Sequence, residues 1–192
     1  MLPQTPRHES KLTGWALSRL RPEYDDLIAL SNTFGLPQHP IATAILGAAI
    51  VEHELEQLLR SKIKLKDDKT WELLVADKSF YSKIVIGYEL GIYDQEMRSD
   101  LDIVRNIRNA FAHSKKLIQF DHPDVAAELR KATGSPIPKK HWEFASPDVT
   151  IHIYIALCFR LSRALMRLRR MKSTTSPYDF AKALLSGKTT RP

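Results

Sequence analysis

Apolar residues recur in this chain at intervals of three and four, and that rhythm is the strongest constraint on its fold. Between Pro40 and about Ile63, the positions Ile41, Ile45, Ala48, Leu55 and Leu59 follow one line. Between Pro147 and about Met171, Tyr154, Leu157, Leu161, Leu165 and Leu168 do the same. A helix turns once in about 3.6 residues, so residues at this spacing gather on one face that has to be buried. The alternation expected of half-buried strands is scarce. Several one-faced helices bury their stripes by packing against each other. The expected class is therefore all-α, a helical bundle of about five main helices with minor ones between them.

Capping residues and breakers set the predicted boundaries. A first helix runs from near Pro22 to Phe34, before the break Gly35-Leu36-Pro37. Pro40 opens the second, which extends to about Ile63. The charged connection Lys64 to Lys69 leads into a short helix around Trp71 to Val75. Ser79 caps a helix through Leu90, with Gly91 placed to end it. Asp94 caps the next, which reaches Ala112 or His113 and carries Met97, Leu101, Val104 and Phe111 on its apolar face. A short helix near Asp124 to Lys131 precedes the loop Gly134 to Pro138. Ser146-Pro147 opens the last long helix, and Ser176-Pro177 a terminal one ending at Gly187. Residues 1–13 are expected to be a flexible leader, 14–187 a single helical domain and 188–192 a frayed tail.

The chain has 192 residues, 43% of them hydrophobic and 27% charged, enough to bury a core without covalent staples. Cys158 is the one cysteine, which excludes a disulfide framework and a thiolate metal site and fits a cytoplasmic protein. The longest apolar run, Ile41 to Val51, is broken by Thr43 and Gly47 and is too short to cross a bilayer. The amino terminus shows no apolar segment of the secretory kind. No cofactor and no metal are expected. The net charge of +7 has a definite location: nine of the 29 basic residues but only two of the 22 acidic ones lie between Ser146 and Pro192. Such asymmetry points to a polyanionic partner.

One segment carries a chemical signal, Arg108-Asn109-Ala110-Phe111-Ala112-His113 at the end of a predicted helix. Arg105 and Asn109 are four apart, as are Asn109 and His113, so each pair shares a face. Arg108 and His113 are five apart and diverge by about 140° on a regular helix. They converge only if the helix ends or unwinds near His113, or if a second subunit completes the site. Arg108 also lies in line with the apolar residues of its helix, and Glu52 lies in line on its own. A buried charge is costly unless paired. A pair between Arg108 and Glu52, or Glu56, is therefore expected.

The stretch Phe80-Tyr81-Ser82-Lys83-Ile84, Leu90-Gly91-Ile92 and then Ile103 to His113 resembles the mannitol-repressor family of small helical proteins. The spacing Arg108…His113, with Asn109 after the arginine, resembles the Arg-x(4–6)-His motif of the HEPN superfamily. The similarity covers about residues 40–125. The HEPN resemblance implies a helical, commonly dimeric protein that cleaves RNA without a metal. His113 would act on the ribose 2′-hydroxyl or the leaving oxygen, Arg108 on phosphate charge, and Asn109 on orientation. Apart from the resemblance, the helical spacing makes Arg105 and Glu52 the expected supporting residues. A histidine titrates near neutral pH and a guanidinium matches phosphate, so the chemistry is sound. The mannitol-repressor resemblance implies a transcriptional regulator working through protein contacts, with no DNA-reading motif evident in this sequence.

Each feature also has a structural reading. Arg108 and His113 form either a catalytic pair or a structural knot in which His113 caps carbonyls. Glu52, His53, Glu54 and Glu56 are expected to form a solvated or dimer-facing edge rather than a metal site. Arg160, Arg163, Arg167 and Arg170, spaced 3, 4 and 3, form one helical stripe suited to solvent, a subunit contact or a phosphate backbone. Two function classes follow. One is a regulatory or interaction protein of the mannitol-repressor type, expected to be a homodimer. The other is a HEPN-type RNA-binding protein or metal-independent endoribonuclease using Arg108 and His113.

Overall fold

The computed structural model describes residues 39–65, 67–133 and 146–171. Among them every regular element is helical, and no strand occurs. The elements are α1 (Pro40–Lys62), α2 (Asp68–Trp71, continuing as a π-helical turn over Glu72–Ala76), α3 (Phe80–Glu89), α4 (Gln95–His113), α5 (Pro123–Leu129) and α6 (Pro147–Arg170). The expected class, all-α, is the observed one. The helices expected at 22–34 and 177–187, the 1–13 leader, the loop 134–138 and the 188–192 tail lie outside the described residues.

The boundaries are chemical. The Ser79 hydroxyl accepts from the Ser82 N–H at 3.2 Å, and the Asp94 carboxylate from the Met97 N–H at 2.9 Å. Ser146 accepts from Val149 at 3.4 Å, with a proline in the first turn of α6. Each cap satisfies an amide that the helix itself leaves open. Gly91 has φ +64°, the left-handed conformation that lets the chain reverse after α3.

Helix α1 packs most extensively on α6, and α4 lies against both. Helix α3 packs on α1 and α4, and α5 on α4 and α6. At the centre α1 and α6 approach closely because α1 carries a glycine there. A Cβ on Gly47 would lie 3.0 Å from Tyr154 Cε1 and 3.1 Å from Cys158 Sγ. The Tyr154 hydroxyl donates to the Ala44 carbonyl at 2.7 Å. This approach corrects the amino-terminal part of the expected stripe: Ile41 and Ile45 are exposed and Ala44, Gly47 and Val51 are buried in their place, while Ala48, Leu55 and Leu59 are buried as expected. The first half of α1 is apolar on nearly every side, so its periodicity could not choose a face. The small residues take the inner face because only they admit the Tyr154 ring.

A second correction concerns Glu52. Its partner is Lys83 of α3, not Arg108, with Nζ to Oε1 3.0 Å. The same Lys83 nitrogen lies 2.9 Å from Glu56 Oε2, and Lys83 and Glu56 are both buried. Glu54 is buried too and lies 3.7 Å from Arg169. Glu54 and Glu56 are thus interior groups rather than a solvated edge.

By length and composition alone, Val149–Arg170 is apolar enough to cross a membrane, but half of that window is buried inside the fold. Its outer side carries exposed Arg163 and Arg167.

Removing Lys83 leaves Glu56 buried without that cation. Lys83→Met is expected to destabilise the protein by about 3–5 kcal/mol in urea unfolding. Adding Glu52→Gln and Glu56→Gln should recover much of the loss. A Lys83→Met protein as stable as wild type would show that the cluster has no such role.

Candidate functional site: the cleft at the end of α4

Helix α4 stays regular through His113. The Ser114 N–H still donates to the Ala110 carbonyl at 3.0 Å, and only at Ser114, with φ −63° and ψ 132°, does the chain leave the helix. Unwinding therefore does not bring Arg108 and His113 together. His113 and Asn109 face a cleft of about 620 Å³ between the end of α4, the connection that follows and α5. Arg108 is not among its walls. Half-buried on the adjoining side, Arg108 donates through Nη1 to Asn109 Oδ1 at 3.0 Å. Its charge also reaches Tyr154: burial pushes the Tyr154 phenol well above its usual pKa, and Arg108 opposes that shift.

Arg105 belongs to the supports rather than the walls. It lies 3.2 Å from Asp102, sits over the Tyr81 ring at 4.8 Å, and donates to Asn106 Oδ1 at 2.7 Å. Asn106 in turn donates to Glu128 Oε1 at 2.7 Å, and Lys131 reaches Glu128 at 2.6 Å. This chain of contacts ties α3 to α4 and α4 to α5. Burial alone would raise the Glu128 carboxyl, but hydrogen bonds from Lys131 and Asn106 outweigh it and hold the group below its ordinary pKa.

The far wall comes from the connection 114–122. It would be free to wander were it not for Phe120, buried with its ring 4.7 Å from Phe111 and 5.3 Å from Tyr154. The Ser114 hydroxyl also accepts from the Lys116 N–H at 3.1 Å, which folds the start of the connection back on itself. Lys115, Lys116 and His122 are thereby held on the cleft with His113. His122 caps α5: its Nδ1 accepts from the Asp124 N–H at 3.3 Å, which assigns the proton of the neutral ring to Nε2. Sequence reasoning missed His122 and the two lysines. The available signals were Lys115-Lys116 directly after the motif and His122-Pro123 at a helix start.

Of the arginine stripe, Arg160 reaches across to buried Asp100, Nη2 to Oδ2 2.7 Å, while Arg163, Arg167 and Arg170 are exposed. Cys158 is buried beside Tyr154, and burial pushes its thiol up to about 12, so it is an inert core residue. No group of three or more potential metal ligands occurs among the described residues. The chain thus defines a class by architecture alone, a helical protein with a donor-rich cleft at one helix end. No protein-family model, curated protein or solved structure matches it.

Asp100 makes the pH dependence testable. Burial raises its carboxyl pKa, against the Thr133 N–H and Arg160, which lower it. The folded state therefore holds a proton on Asp100 at a pH where the unfolded state has lost it. Stability from this group is greatest below the ordinary value of 3.8 and falls as pH rises through the raised value. Asp100→Asn cannot titrate. Urea unfolding from about pH 4 to 6 should show its stability relative to wild type improving as pH rises. A difference that stays flat across that range would rule this out.

Proposed function

We propose that this chain is a small regulatory protein of the mannitol-repressor type, a homodimer that works through contacts made at the cleft beside His113. One observation carries the reading. The two halves of the Arg108–His113 motif face different sides of α4, so one chain presents an open contact surface without a complete catalytic pair. The cleft is supported from three helices, as expected of a recognition surface that has to keep its shape. The charge imbalance of the C-terminal quarter favours an acidic or polyanionic partner.

A second reading, the HEPN-type endoribonuclease, is favoured by a different observation. His113 is exposed on the cleft at the helix end, where a substrate could reach it. In that reading Arg108 of a second copy would supply the phosphate charge that its own chain's Arg108 does not bring to the cleft.

Incubating the full chain with single-stranded RNA and excess chelator separates the two. The first reading expects a dimer in sedimentation and no cleavage by wild type. Chelator-resistant cleavage, reduced about a hundredfold or more in both His113→Ala and Arg108→Ala, would overturn it in favour of the second.

A further inference from the structure

The end of the bundle away from the cleft sets exposed apolar side chains beside dense positive charge. Helices α1 and α6 run parallel. Tyr154 meets Ala44 near their starts, while Arg169 reaches Glu54 and the Lys62 ammonium donates to the Met171 carbonyl near their ends. The cleft belongs to the first of these ends, through Phe111, Phe120 and Tyr154. At the other end Arg60 pairs with Asp68 and lies over the Trp71 ring, 5.5 Å from its centroid. That contact seats α2 against the last turn of α1.

Trp71 and Val75 are the buried side of α2. The Trp71 indole N–H has no acceptor among the described residues, so apolar contact and the Arg60 cation hold this ring in place of a hydrogen bond. The π-helical turn that follows is closed by the Asp77 N–H donating to the Glu72 carbonyl at 3.0 Å. Such a turn holds more residues than an α-helical one, so neighbouring side chains diverge by less than about 100°. Leu73 and Leu74 therefore leave the helix on nearly the same side, 66% and 49% exposed. Met171, at the end of α6, is 63% exposed.

The sequence around these side chains is basic. Residues 60–78 include six basic and four acidic side chains, and 167–172 include four basic and no acidic ones, so the excess stays positive after every acid is counted. Lys64, Lys69, Arg167 and Arg170 are exposed and have no carboxylate partner among the described residues.

We propose that this end docks on the surface of an anionic lipid bilayer. Leu73, Leu74 and Met171 enter the headgroup layer, and the surrounding ammonium and guanidinium groups meet the lipid anions. Shape and charge together select this occupant. A free anion would leave the leucines wet, and a neutral bilayer would leave the cations unanswered. An acidic protein would need a preformed socket for a two-leucine knob, whereas a fluid bilayer yields to it. The proposal goes beyond the cleft reading and uses none of its residues. Docked this way, the chain turns the cleft away from the membrane.

Vesicle flotation of the full chain tests it, with phosphatidylcholine alone and with an equimolar mixture of phosphatidylcholine and phosphatidylserine. The mixed vesicles are expected to bind about tenfold or more tighter than the neutral ones. Leu73→Ser combined with Leu74→Ser leaves the charge unchanged and should weaken that binding by about tenfold or more. Lys64→Glu combined with Arg170→Glu should weaken it as much. All four side chains are exposed, so their replacement spares the core. The same change of charge at the far end, Lys115→Glu with Lys116→Glu, should weaken it by less than about twofold, because distant charges are screened. Failure to float with the mixed vesicles would overturn the proposal. So would a leucine variant that binds like wild type, or equal losses from the two charge-reversed pairs, since either result means adsorption by overall charge alone.

Discussion

The position of Tyr154 is the constraint on which the cleft depends. Its hydroxyl is tied to the Ala44 carbonyl, its ring occupies the space that Gly47 leaves on α1, and Phe120 packs against its other side. Phe120 also meets Phe111 on α4. One side chain on α6 thus joins α1 to the connection 114–122, which has almost no secondary structure of its own. Burying a ring of this size is worth about 1.5–3 kcal/mol, and a tilted aromatic pair adds roughly 0.5–1.5 kcal/mol. That offsets part of the entropy cost of ordering the connection, about 1–2 kcal/mol per residue. Lys115, Lys116 and His122 therefore stand on a wall rather than on a loose loop.

Paired charge, buried at Lys83, Glu56 and Asp100 and partly exposed elsewhere, sets the registers of the helices around this core. Lys83 sits between Glu52 and Glu56, Arg160 reaches Asp100, and Arg105 leads through Asn106 to Glu128. Pairs of this kind contribute modestly to stability, because removing the charges from water costs about as much as their attraction returns. Misalignment has a much larger effect. Sliding α3 by one turn along α1 would move the Lys83 ammonium away from both carboxylates and leave like charges facing each other. The cluster thereby selects one alignment among several that apolar packing alone would accept.

Much of the fold was legible in the sequence because helix ends are local events. Ser79, Asp94 and Ser146 cap amides only a few residues ahead, and the observed ends fall within a residue or so of the expected ones. The phase of α1 was less legible. Ile41 and Ile45 are the more hydrophobic residues, yet Ala44 and Gly47 are buried, since closeness to Tyr154 outweighs hydrophobic area there. Glu52 was recognisable as a carboxylate needing a cation. The choice of Arg108 failed because α1 touches both α3 and α4, and sequence alone does not say which of their cations stands opposite Glu52.

For the candidate site the division is similar. The divergence of Arg108 and His113 follows from their spacing, because five residues on a regular helix set that angle and α4 is regular throughout. The spacing also placed Asn109 on the face of His113, which the cleft reflects. What His113 faces was settled by packing between segments distant in the chain. His122, Lys115 and Lys116 join it because Phe120 is buried against rings from α4 and α6, far apart in the chain. Helical hydrogen bonds span four residues and can be read from a window of sequence. A cleft closed by packing between distant segments depends on contacts that no such window contains.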